Sequence, residues 1–213
     1  MVKIPIILKL RKGSHKEIAK AQDIVVKILY ETFEKAVFHG GTAIWRCYNG
    51  NRFSEDVDVY IPNDREKINF LFKKFEKAGF RIEKKKISEN SIYSKLKMNN
   101  TEVRFEALLR KSSGILKDYE TAEGNIIVVY TLTPEDFIEE KVNTYLKRLK
   151  IRDLYDIFFL LRHVKNKDDV KKILRKLAKG FRKPEDEADL KVLILEGIIP
   201  KADKMIDYIK SFI

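Results

Sequence analysis

Two aspartates stand one residue apart inside an otherwise apolar run, Asp56-Val57-Asp58-Val59-Tyr60-Ile61, and no other stretch restricts the fold so much. Alternation of acid and valine has the period of a β-strand. Asp56 and Asp58 therefore leave the strand on one face, while Val57 and Val59 enter a packing layer on the other. Two carboxylates a few ångströms apart repel, and one pKa rises unless a cation lies between them. The strand needs a partner for its charge. Hard oxygen ligands at this spacing suit Mg²⁺, which is usually held by one or two carboxylates plus substrate phosphates. A calcium loop fits poorly, because Val57, Val59 and Ile61 leave no glycine hinge and no flexible oxygen-rich loop.

The residues just upstream supply the other half of a site. A short strand at 36 to 39 runs into Gly40-Gly41, and residues 42 to 48 read as a brief helix closed by the Asn49-Gly50 turn. Bare backbone N–H groups where a strand turns into a helix make an anion site, and Thr42 adds a hydroxyl. A phosphate cradle followed by a carboxylate pair on the next strand suits group transfer at a metal-bound triphosphate. Alone, a Gly-Gly is more often a turn and an Asp-x-Asp more often a polar strand face. Their order and spacing give the combination its specificity.

Elsewhere the pattern alternates between helix and strand. Ser14, with Glu17 three residues on, has the form of a capping box at the head of a helix. Asn63 or Asp64 caps a helix whose apolar residues Ile68, Leu71, Phe72 and Phe75 keep helical spacing, and Gly79 ends it. RIEKKKIS, IYSKLKM, TEVRFEALL after the Asn99-Asn100 turn, and NIIVVYTL read as strands of one sheet. Thr133-Pro134-Glu135-Asp136 starts a helix with a cap, a proline at the first helical position and acids in the first turn. The remainder reads as mostly helical. The expected fold is a mixed α/β (α+β) sheet flanked by helices, followed by a C-terminal helical bundle. The boundary separates a core at 1–132 from a helical subdomain at 133–213.

The chain of 213 residues carries a formal net charge of +12. Such an excess attracts polyanions, nucleic acid first and an acidic membrane surface second, although solubilising surface lysine gives the same count. Cys47 is the one cysteine, so no internal disulfide forms and a reducing cytoplasm is the expected compartment. The opening MVKIPIILKLRKG interrupts its apolar run with Pro5, Lys9 and Arg11, unlike a secretory signal. No apolar stretch approaches the roughly 20 residues a membrane helix requires.

The segment Gly40-Gly41-Thr42 … Arg52-Phe53-Ser54-Glu55-Asp56-Val57-Asp58 resembles the nucleotidyltransferases of the AbiEii/AbiGii toxin family, in the DNA polymerase β-like superfamily. That pattern runs Gly-Gly-Ser/Thr, a short helix, then Arg-x-Ser-x-Asp-hydrophobic-Asp. A second family element is similar to Lys141, Arg148, Arg152-Asp153 and Asp156, so the resemblance spans residues from about 37 to 161. Thr144 stands where the family tends to carry alanine. The resemblance implies Mg²⁺-dependent transfer of a nucleoside monophosphate from an NTP to a hydroxyl, with a two-metal site. Asp56 and Asp58 would hold metal, and Gly40, Gly41 and Thr42 would grip the triphosphate. Arg52 and Ser54 would brace the loop at the nucleotide. Lys141, Arg148, Arg152, Asp153 and Asp156 would form the rest of the catalytic set.

On one helix, Lys141, Arg148 and Arg152 would form a stripe at i, i+7 and i+11, with Asp153 and Asp156 orienting the cations. A solvated helix stitched by pairs such as Arg152 with Asp156 explains the same residues. The superfamily commonly has a third carboxylate on a neighbouring strand. Glu106 is the candidate, as metal ligand or as base; a salt-bridge ladder involving Arg104 accounts for it equally well. His39, Trp45, Cys47 and Tyr48 read as packing residues, and His163 as a complement to a helix C-terminus. Lys84-Lys85-Lys86 and the Lys171, Lys172, Arg175, Lys176, Lys179 helix face read as solvated surface on which an RNA backbone could lie. For acceptor and partners, the family implies a toxin-like role in a type IV toxin–antitoxin system, a cognate antitoxin, and RNA such as a tRNA 3′ end. A protein hydroxyl is the rival acceptor, and a non-catalytic nucleotide- or RNA-binding module the rival class.

Overall fold

The computed structural model of the chain describes residues 4–213, so the first three residues of the amino-terminal run lie outside it. The chain divides into two compact units, one ending at Thr131 and the other starting at Leu132.

The first unit holds helices α1 (Ile6–Lys9), α2 (Gly13–Thr32), α3 (Gly40–Cys47) and α4 (Arg65–Lys77). Its strands are β1 (Val37–His39), β2 (Asp56–Ile61), β3 (Arg81–Ile87), β4 (Ser91–Met98), β5 (Thr101–Leu109), β6 (Ile115–Glu120) and β7 (Ile126–Thr131). They form one mixed sheet in the order β3-β4-β5-β2-β1-β7-β6. The pairs β2–β5 and β1–β7 are parallel, and the other neighbours are antiparallel. Residues that alternate along β2 take opposite faces. Val57 and Val59 are fully buried, whereas Asp56 and Asp58 are part-exposed. The apolar face is a layer of rings: Phe105 of β5 meets Phe72 and Phe75 of α4 edge-on, with centroids 6.4 and 5.5 Å apart. Helix α2 packs on α4, β2 and β5.

Local signals set most boundaries. The Asp64 side chain accepts from the Lys67 N–H and caps α4. Gly79 ends that helix with φ of +95°, where a glycine avoids the clash a Cβ would make. Asn99, with φ of +53°, turns β4 into β5.

One expectation needs correction, and two elements were not anticipated. The capping box at Ser14 does not form. Helix α2 already begins at Gly13 behind Lys12, with no side-chain cap. Residues 115–120, which have no clean alternation, form the edge strand β6, drawn in by pairing with β7. A short turn of helix, α1, interrupts the amino-terminal apolar run; the Ile7 N–H donates to the Ala122 carbonyl at 2.9 Å.

The second unit is helical: α5 (Pro134–Arg148), α6 (Ile151–Leu160), α7 (Asp168–Gly180), α8 (Leu190–Leu193) and α9 (Ala202–Lys210), with single 3₁₀ turns at Leu161–His163 and Glu187–Asp189. Thr133 caps α5 by accepting from the Asp136 N–H at 3.1 Å. Helix α5 packs on α6 and α7, and α9 packs on both of those.

Phe105→Ala removes the ring at the centre of the helix–sheet layer and leaves a buried cavity. The expected loss is about 3–5 kcal/mol, read as a lower urea midpoint with an unchanged slope.

Candidate active site

Two neighbouring strands, β2 and β5, bring the predicted acids together. In the β2–β5 register Asp58 lies opposite Glu106 and Asp56 opposite Arg104, and in the β1–β2 register His39 lies opposite Asp58. The charge on β2 finds its first partner here. Arg104 Nη2 donates to Asp56 Oδ2 at 3.0 Å, and Arg104 Nε lies 2.6 Å from Asp56 Oδ1. The second contact is close but not aligned as a hydrogen bond, so Oδ1 is buried with no hydrogen-bond donor among the described residues. Arg104 is thus both the ladder residue expected from its strand and the counterion of the first aspartate. Burial first, then the charges of Asp58 and Asp56, push the Glu106 carboxyl above the usual carboxylate range.

The glycine pair owes its composition to two close approaches. Gly40 has φ of +73°, and a Cβ there would collide with the Asp58 carboxylate. A Cβ on Gly41 would strike Arg52 Nη2 and come within 2.7 Å of Ser54 Oγ. The start of α3 therefore lies directly on the second aspartate, braced from below by Arg52 and Ser54. Arg52 is buried, and its Nη1 donates to the Phe53 carbonyl at 3.1 Å. Thr42 is fully buried, and its hydroxyl donates to the Asp56 backbone carbonyl. It pins β2 to α3 from within, a positioning contact.

Two residues that sequence reasoning missed complete this brace. Gln22 of α2 is fully buried; its Nε2 donates to the Ser54 carbonyl at 3.0 Å and lies 3.5 Å from Thr42 Oγ1. Arg46 of α3, 1 % exposed, donates to the carbonyls of Ala19 and Glu120 at 3.0 and 3.1 Å and lies 3.4 Å from Asp23. The signal for Gln22 was present: it falls at the apolar spacing of α2, between Ala19 and Val25, where a lone amide needs a buried partner. Arg46 had no such signal, since arginine inside a short helix is ordinarily surface.

Other residues near the turn play the packing roles expected of them. His39 stacks on Tyr60 with centroids 4.0 Å apart. Trp45, Cys47 and Tyr48 are buried, and burial pushes the Cys47 thiol up to about 12, away from nucleophilic use.

Divalent metal suits this donor set. Asp56 offers a buried oxygen lacking a hydrogen bond, Asp58 is its same-face neighbour, and both are hard ligands. Among the described residues no three His, Cys, Asp or Glu side chains converge as a ready-made metal cage. Glu106 stands opposite Asp58 in the β2–β5 register, and Asp56 and Asp58 with ligand phosphates make a fitting set.

In the helical unit the second predicted cluster is an ion network built on two buried acids. Asp153 is fully buried and Asp156 is 1 % exposed. Lys141 Nζ lies 2.6 Å from Asp156 and 3.4 Å from Asp153, and Arg148 grips Asp153 with two bonds of 2.8 and 2.9 Å. Two cations match two anions, as burial of charge demands. The single stripe does not exist. Leu149 adopts the left-handed conformation, φ of +51°, ending α5 at Arg148, so Arg152 belongs to α6. Arg152 is half-buried and makes no hydrogen bond or ion pair among the described residues; Asp156 goes to Lys141 instead.

The family model described as nucleotidyl transferase AbiEii toxin, type IV toxin–antitoxin system, matches residues 27–208. The chain belongs to the AbiEii toxin family. It is a nucleotidyltransferase of that family, and both clusters just described lie within the matched span. Two solved structures share the AbiEii chain's fold. JHP933 from Helicobacter pylori superposes with a TM-score of 0.66 at 20% identity, covering 94% of this chain and 90% of that one. A nucleotidyltransferase candidate from H. pylori gives 0.62 at 17%, covering 94% and 93%. No curated protein matches the chain. Among the described residues, no helix of this AbiEii member is long and apolar enough to cross a membrane.

Gly40→Ala forces a side chain into Asp58 at a backbone angle that favours glycine. Transfer activity should fall by about a hundredfold, as a 1 Å displacement of reacting groups does. Gly41→Ala should fall less, because the atoms it meets are side-chain ends that can shift. Equal losses in a label-transfer assay would contradict this account of the turn.

A raised folded-state pKa at Glu106 means the fold is favoured while that carboxyl is protonated and loses stability as pH climbs through the carboxylate range. Glu106→Gln should therefore melt higher than wild type at about pH 8 without added metal, with the gap closing near about pH 4. Thermal melts at both pH values read this out.

Proposed function

We propose that the chain moves a nucleoside monophosphate from an NTP to a hydroxyl of RNA, at a tRNA 3′ end, as the toxin of a type IV pair with a cognate antitoxin. The observation that carries this reading is the abutment of Gly40 on Asp58, which sets a helix N-terminus against a metal-type carboxylate. A polyphosphate on that turn would have its oxygens within reach of the same cation that the acids hold. Magnesium bound there would neutralise the phosphates and lower the pKa of the attacking hydroxyl.

The chain's own groups have distinct tasks in this reaction. The N–H groups opening α3 bind the triphosphate, and Arg52 and Ser54 keep the turn in shape. Asp56 and Asp58 supply metal ligands. Glu106 holds a proton more tightly than an ordinary glutamate, which suits the acceptor of the hydroxyl proton. The hydroxyl oxygen bonds the α-phosphorus as the bond to pyrophosphate breaks. We assign Lys141, Arg148, Arg152, Asp153 and Asp156 to the same catalytic set. That assignment is supported by the family match, which runs through both units. The charge of +12 supports an RNA acceptor.

Incubation with each α-labelled NTP, Mg²⁺ and total tRNA, with Asp58→Asn as control, tests the reading. Label should enter RNA with wild type alone. Label in protein would transfer the assignment to a protein hydroxyl, and no label with any metal or acceptor would leave a binding module.

A further inference from the structure

The carboxylate row does not stop at the acids. The registers continue it across five strands on one face of the sheet: His39 of β1, Asp58 of β2, Glu106 of β5, Tyr93 of β4 and Lys86 of β3. A parallel row runs Asp56, Arg104, Lys95 and Lys84. Strands lie about 4.8 Å apart, so Tyr93 stands about 10 Å from Asp58 and Lys86 about 15 Å. This face is open: Tyr93 and Glu106 are half-buried, and Lys84 and Lys86 are exposed.

Its charges sort into two kinds. Lys95 pairs with Glu102 at 2.9 Å, Lys97 lies 3.4 Å from Glu83, and Arg104 serves Asp56. Lys84 and Lys86 make no ion pair among the described residues; Lys84 Nζ sits 5.3 Å from the centre of the Tyr93 ring. Lys85 turns to the other face and lies over Phe72, so the Lys84-Lys85-Lys86 run splits and puts two free cations beside one aromatic ring. Edge lysines also discourage edge-to-edge sheet association. That role calls for neither the tyrosine between them and the acids nor a shared row with Asp58.

We propose that the β3–β4–β5 face is the landing surface for an unpaired nucleic-acid end, with a base stacked on Tyr93 and backbone phosphates on Lys84 and Lys86. Aromatic rings on an open sheet take unstacked bases of any sequence, and lysines track the backbone. The row then leads the terminal hydroxyl from Tyr93 to Glu106 and Asp58, which identifies where the acceptor lies and rests on the transfer reading above.

Binding of a fluorescein-labelled single-stranded RNA to the full chain, followed by anisotropy across a salt series, tests the surface apart from catalysis. In Lys84→Glu/Lys86→Glu the affinity should drop at least severalfold. The slope of log affinity against log salt should become shallower by about 1.4, the value for two lost phosphate contacts on a single strand. Tyr93→Ala should weaken single strands roughly tenfold and remove their advantage over a duplex of the same length, while Tyr93→Phe retains wild-type binding. Binding of a fluorescent NTP with Mg²⁺ should be unchanged in all three, which also shows that they fold. Unchanged RNA affinity in the double variant, with wild type still labelling RNA, overturns the surface and leaves the transfer reading intact. A wild type that neither binds nor labels RNA but labels protein overturns both. Equal response to RNA and heparin, insensitive to Tyr93→Ala, reduces the face to a general polyanion patch and overturns the proposal.

Discussion

Asp58 presses its carboxylate against the α-carbon of Gly40, and much of the first unit is arranged so that this approach can happen. A helix N-terminus carries partial positive charge from its unpaired N–H groups, and an acid placed against it is stabilised where two acids side by side would otherwise repel. Any side chain at position 40 would push the strand and the helix apart. The brace beneath follows from the same requirement. Thr42 and Gln22 tie the backbone at Asp56 and Ser54 to α2 and α3, so the loop carrying Arg52 cannot drift from the turn. Arg104 takes the other aspartate.

How legible this was depended on the range of the interaction. The strand with two acids, the glycine turn, the helix over 65 to 77 and the Thr133 start were visible because each is written in adjacent residues. Period, cap and turn chemistry act over a few positions. The pairing of Asp56 with Arg104, 48 residues later, was visible only as an open alternative, since strand order is decided by the whole sheet. Strand β6 was missed for a related reason. Ile115, Leu116 and Asp118 are exposed on an edge, so no buried alternation was needed to hold them, and pairing with β7 decides the conformation. The Ser14 box failed for lack of competition: α2 could start one residue earlier at no cost in burial.

The helical unit shows where a correct residue set can carry an incorrect geometry. Lys141, Arg148, Asp153 and Asp156 do assemble, as the spacing and the resemblance implied, but across two helices instead of along one. The left-handed Leu149 folds α6 back so that its acids reach the cations of α5. Burial of the two acids explains why the four are kept together. An unpaired carboxylate at zero exposure is costly, and removing Lys141 leaves a buried charge worth about 3–5 kcal/mol of destabilisation. A solvated helix face, the simpler expectation, would have left these side chains exposed and weakly coupled.

The distribution of charge follows from the same accounting. A chain at +12 still concentrates three carboxylates, Asp56, Asp58 and Glu106, on neighbouring strands, against the sign of everything around them. In the folded chain this concentration is strained: Glu106 resists ionising because burial and its two acidic neighbours oppose the charge. Structural needs alone would replace such a residue, for a glutamine of similar size packs as well and carries no charge to desolvate. Retaining the acid makes physical sense where a cation arrives to relieve it, and the surrounding positive field then has its own use. In the proposed reaction it would draw a polyanion toward a locally negative row that a metal would have to bridge.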